Sequence, residues 1–130
     1  MLVLDENLPA SQRLLLRKWR IRFRAVGVDI AVPGTQDENL IPVLHKLAQP
    51  MFFTLDRHFF RADWTHFGYG LAWLDVADYE AAEFIRRFLL LPAFDTQFKR
   101  LGVVARVTAT EVRFWRKGQP RLQRIEWSDF

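Results

Sequence analysis

Met1-Leu2-Val3-Leu4-Asp5-Glu6-Asn7 is the stretch from which the rest of the chain is read. Its four apolar residues make a short strand buried on both faces. Two carboxylates and an amide then stand where the chain leaves that strand. Charge is costly to bury, so an acid at the end of a core strand calls for a reason. In open α/β sheets, ligands sit beyond the carboxyl ends of the strands. Asp5 is therefore read as the first ligand of a divalent-metal site.

Outward from this strand, a helix start is offered at Asn7, Leu8 or Pro9, since Pro is tolerated in a first turn. Leu8, Leu15 and Trp19 fall on one helical face, widened by Leu14 and Leu16, and the helix ends near Trp19. Ile21, Phe23 and Ala25 alternate with Arg20, Arg22 and Arg24, which predicts a second strand near a sheet edge. Residues 27–36 read as a loop. Leu40, Ile41, Leu44, Leu47 and Ala48 have helical spacing, with Asp37 or Asn39 as cap and a late start enforced by Pro42.

Residues 51–55 make a third strand ending at Asp56, and residues 71–74 a fourth ending at Asp75. Between them lies an aromatic segment with a short helix. Asp78 is placed as the cap of a helix striped by Ala81, Phe84, Ile85, Phe88 and Leu89, stopped by Pro92, with one further helical turn before residue 101. Residues 103–107, 112–115 and 122–127 are β runs, with a turn over residues 117–120. This alternation predicts one α/β domain over residues 1–130, with a mainly parallel sheet and a C-terminal hairpin at its edge.

With no cysteine, neither disulfides nor thiolate metal sites arise. The longest apolar run is too short to span a bilayer and no signal-type segment opens the chain, so a soluble cytoplasmic protein without membrane contact is expected. The net charge of +4 is unevenly spread: residues 8–28 hold six basic side chains and no acid, and residues 99–124 hold eight against Glu111. Basic surface beside an acidic centre suits a polyanion, though solvated faces explain it equally. The high aromatic content leaves room for a homodimer.

Asp5, Asp56 and Asp75 each follow a predicted strand, and Asp37 opens a helix. Carboxylates brought close repel and raise one another's pKa unless a cation neutralises them. Oxygen ligands favour Mg²⁺ or Mn²⁺. Asp37 and Asp78 are equally readable as caps, and Asp75 as a turn residue. Thr54 could support Asp56, Asn7 could face the site or cap the helix, and Glu6 points away from Asp5.

Leu4-Asp5-Glu6-Asn7-Leu8-Pro9, Asp37-Glu38-Asn39-Leu40-Ile41 and Thr54-Leu55-Asp56-Arg57-His58-Phe59, taken together, resemble a family of small PIN-like domain proteins. The resemblance implies a three-layer α/β/α fold and a Mg²⁺- or Mn²⁺-dependent ribonuclease site. Asp5, Asp37 and Asp56 match the acids. His58 stands where the family's Thr-x-Asp-x-Asp step has its second Asp, a departure that weakens the Mg²⁺ fit and suits Mn²⁺ better. The likeness also implies RNA as substrate and a small antitoxin protein as partner. Arg13, Arg17, Arg57 and the hairpin cations are the candidates for holding RNA. The alternatives are a non-catalytic binding module and a hydrolase of small phosphate esters with Phe59, Phe60 and Trp64 closing its pocket.

Overall fold

The structure, a computed structural model, describes residues 1–30 and 37–129, and of residues 37, 38 and 129 the backbone alone. Its frame is a mixed sheet of seven strands in the order β2-β1-β3-β4-β5-β6-β7. The strands are β1 (Leu2–Leu4), β2 (Arg24–Ala25), β3 (Met51–Thr54), β4 (Gly70–Leu74), β5 (Val103–Val107), β6 (Glu111–Arg116) and β7 (Gln119–Glu126). The first five run parallel, and β6 and β7 add antiparallel at one edge. The apolar runs of β1 and β3 are buried at every position, as a central parallel strand requires. The alternating second segment does lie at an edge, but only Arg24 and Ala25 pair.

Helices cover both faces. On one face α1 (Ala10–Lys18) and α3 (Ala81–Leu90) pack Leu16, Phe84, Ile85 and Phe88 onto Leu4, Phe53 and Ala105. On the other, α2 (Asp37–His45) and the aromatic segment put Leu40, Leu44 and Phe59 on Val3, Phe52 and Leu71. α4 (Gln97–Arg100) is a single turn before β5. Among the described residues no helix is long and apolar enough to cross a membrane. Residues 31–36 of the expected loop lie outside the described residues.

Several expectations are corrected. α2 does not start late: it begins at Asp37 and carries Pro42 in its interior. Leu40 and Leu44, both fully buried, flank Pro42 at helical spacing, and their packing holds the helix through the missing hydrogen bond. Asn39 is inside that helix and caps nothing, while Leu47 and Ala48 fall beyond its end. Leu14 is 60% exposed, so the α1 stripe is narrower than its leucines suggest.

Asp78 lies in a 3-10 turn (Asp78–Glu80) before α3, whose first turn receives no cap from its own N-cap side chain. The buried Gln12 of α1 supplies it instead, its Oε1 accepting the Ala82 amide at 2.9 Å. Gln12→Leu leaves that amide unpartnered and is expected to cost about 1–2 kcal/mol, read as a shift of the urea midpoint.

β4 starts one residue earlier than expected, at Gly70. A Cβ there would overlap the Arg100 carbonyl oxygen and come within 2.5 Å of Met51 Sδ. α4 can lie this close to the strand only over a glycine. Gly70→Ala should therefore destabilise the fold by about 3 kcal/mol, measurable by equilibrium denaturation.

Candidate functional site

β1 has β2 on one side and β3 on the other: α1 leads from β1 to β2, and α2 leads back past β1 to β3. That reversal is the topological switch point of a parallel sheet. In such sheets ligands bind there, beyond the carboxyl ends of the strands, here those of β1 and β3. Asp5 and Thr54 stand there.

The Asp5 amide donates to the Phe53 carbonyl at 2.9 Å, extending the β1–β3 ladder by one residue and holding Asp5 against the sheet. The residue is 6% exposed. Its Oδ2 accepts the Thr54 hydroxyl at 2.7 Å, and its Oδ1 accepts the Glu6 amide at 2.8 Å. Glu6 itself is exposed.

Thr54 is the hub of the site. It is fully buried, and while its hydroxyl donates to Asp5 the same oxygen accepts the Asp56 amide at 3.0 Å and Asn7 Nδ2 at 3.4 Å. One donor and two acceptor positions are the whole capacity of a hydroxyl. Asn7 Oδ1 in turn accepts the Leu55 amide at 3.4 Å. Asn7 thus faces the site, bridging the ends of β1 and β3.

Asp56 begins a 3-10 turn (Arg57–Phe59) and caps it, Oδ1 accepting the His58 amide at 2.9 Å. Phe59 anchors the turn, buried against Phe52 and Trp64. The exposed His58 ring places Nδ1 3.6 Å from the same Asp56 oxygen, and Arg57 beside it is exposed.

Burial pushes the Asp5 carboxyl above its ordinary pKa of 3.8. The Thr54 hydroxyl and the Glu6 amide offset part of that rise, and the negative charges of Glu6 and Asp56 add to it. Asp5 and Asp56 are therefore close enough to feel one another. With the Thr54 oxygen fully used, the oxygens left to meet an ion are the carboxylates of Asp5 and Asp56 and the amide oxygen of Asn7, a set that suits a hard divalent cation.

No family model, curated protein or solved structure matches the chain.

The remaining candidates divide. The Asp37 backbone opens α2, and its side chain lies outside the described residues. Among the described residues no three His, Cys, Asp or Glu side chains converge as metal ligands. Asp75 does not join the site: its Oδ2 accepts Arg106 Nε at 3.0 Å and Nη2 at 2.7 Å, one strand further along. Arg13 is folded back on α1, Nη1 donating to the Leu8 carbonyl at 2.9 Å. Arg17 lies at the other end of the sheet, in a cleft with Met1 and Leu2. His45 and His66 pack on one another and on Tyr69, also near the strands' amino ends. Phe60 stacks on Trp115, so the aromatic segment is spent on packing rather than on closing a pocket over Asp5. The role of Thr54 was under-read from sequence. The signal was a lone hydroxyl ending an otherwise apolar strand, two residues before an acid.

Proposed function

We propose that the chain is a PIN-like, divalent-cation-dependent ribonuclease whose centre is Asp5 and Asp56, with Asp37 of α2 as a third acid. The observation that carries this reading is Asp5: a buried carboxylate at the switch point, its pKa raised, with a second acid adding to the unfavourable charge. Such a group is costly in the free protein and is relieved by a cation. Mg²⁺ and Mn²⁺ need only one or two protein carboxylates when waters and substrate phosphate complete the shell.

Asp5 and Asp56 would hold the ion. When bound, it would lower the pKa of a water and neutralise charge on a phosphodiester. The chain's own residues do the rest. Thr54 fixes the carboxylate of Asp5, Asn7 ties the two strand ends together, and the exposed Arg57 is positioned to hold a phosphate. His58 sets an imidazole beside Asp56, which favours Mn²⁺ over Mg²⁺. A small antitoxin protein as partner follows from the PIN-like reading, as does a cytoplasmic setting.

The experiment is RNA cleavage by the purified protein. Hydrolysis should appear with Mn²⁺, be weaker with Mg²⁺ and vanish with chelator. Absence of cleavage with either ion across varied RNA substrates sinks the enzyme reading.

A second reading has its own observation. Asp56 already caps its own turn, and His58 stands where a further acid is expected. A non-catalytic module of the same fold would bind nucleic acid in a salt-sensitive way that chelator leaves unchanged.

A further inference from the structure

We infer that the cleft at the amino edge of β1 is a second site, one that binds the phosphate backbone of single-stranded nucleic acid independently of the acid centre. The cleft has a volume of about 660 Å³, with Arg17, Arg20, Arg22 and Arg24 around a floor of Ile21 and Phe23. Met1 and Leu2 line it and Arg24 pairs level with Val3, so it opens at the amino end of β1, whereas Asp5 follows the carboxyl end.

Its charge is uncompensated. Among the described residues, none of these four arginines is in an ion pair. Of the arginines elsewhere, Arg61, Arg86, Arg87, Arg106, Arg113 and Arg124 each meet a carboxylate, and Arg13, Arg100 and Arg116 donate to main-chain carbonyls. Four arginines line one cleft with no acid among its lining residues, so an anion entering it meets positive charge alone.

The arrangement is held by the fold. The Arg17 guanidinium lies 5.0 Å over the Phe23 ring. Arg20 follows the last turn of α1 with φ 62, its amide on the Arg17 carbonyl at 3.0 Å, while Ile21 N–H takes the Leu16 carbonyl at 2.9 Å. Those bonds occupy helix-end carbonyls that would otherwise face an anion. Arg22 and Arg24 are exposed on either side of half-buried Phe23.

Guanidinium forks match phosphate oxygens two at a time. The cleft is an open trough, which suits a polymer running across it rather than an enclosed small molecule. With the Arg17 guanidinium over Phe23, a base can lie on that planar cation or against Ile21, as single-strand sites do. An acidic peptide would use the charge but not the floor.

The test is anisotropy of a short labelled single-stranded RNA, with chelator present so that cleavage and ion binding at Asp5 play no part. Arg22→Glu/Arg24→Glu is expected to weaken binding at least about tenfold and to lower the salt slope by about 1.4, the value for two single-strand phosphates. Arg121→Glu/Arg124→Glu, on the hairpin, makes the same change in net charge and should do much less. Equal losses in both variants, or a loss confined to the hairpin variant, overturns the proposal. Displacement of the RNA by polyglutamate at matched charge concentration also overturns it, in favour of an acidic protein. Circular dichroism checks folding, and Arg22→Gln/Arg24→Gln serves if the reversal unfolds the chain.

Discussion

Asp5→Asn is expected to lower cation-dependent RNA hydrolysis by about a thousandfold, while the variant's stability relative to the parent rises with pH. The two halves of this result have one origin. Asp5 is a buried acid whose folded-state pKa lies above 3.8. Between those two values the native state keeps a proton that the unfolded chain has lost. Stability therefore falls as pH rises through that window, and remains reduced above it. Asn keeps the shape and one oxygen for the Thr54 hydroxyl and has no charge to bury, but it loses the acceptor for the Glu6 amide, a cost that does not depend on pH. Relative to the parent, the variant should therefore start lower in acid and gain stability as pH rises above 3.8. Denaturation midpoints taken across that range read the effect directly. An Asp5→Asn protein whose stability relative to the parent does not rise with pH would show that the carboxylate is a structural anchor, not a site held at a cost to folding.

Thr54→Val should be the more damaging change to the fold. Val fits a buried strand as well as Thr does, so the loss isolates the hydroxyl. Three partners lose it at once: Asp5 Oδ2, the Asp56 amide and Asn7 Nδ2. A bond to a charged, buried group is worth about 1.5–3 kcal/mol. The expected cost is about 3 kcal/mol at pH 7, falling toward 1 kcal/mol in acid, where Asp5 is neutral in both states. Without the hydroxyl, the Asp5 pKa rises further. Thr54→Ser should recover most of the stability. A pH-independent cost would mean that packing, not the bond to Asp5, is what Thr54 supplies.

Much of the frame was legible because it is local. The apolar run of β1, the buried run of β3 and the i, i+3, i+4 stripe of α3 each announce their element through their own spacing. The acids at the ends of β1 and β3 were legible for the same reason. What was not legible depends on contacts distant in sequence. Strand order decides that Asp5 meets Thr54 while Asp75 meets Arg106. Gln12 looks like a surface residue of α1 until α3 arrives with an uncapped amide. Pro42 argues against a helix that tertiary packing keeps. Arg17, in the last turn of a helix that starts near Asp5's strand end, is carried by the length of α1 to the amino end of β1. Gly70 reads as an ordinary loop glycine until the Arg100 carbonyl is placed against it.

The central claim is that Asp5 and Asp56 jointly hold a divalent cation. Crystals of the unmodified protein soaked in Mn²⁺ and measured at the manganese edge test it most directly. The account predicts an anomalous peak in the crevice between the ends of β1 and β3, within coordination distance of both carboxylates, and its loss in Asp5→Asn. Manganese found only at other surface carboxylates, with Asp5 unchanged on Thr54, would contradict it.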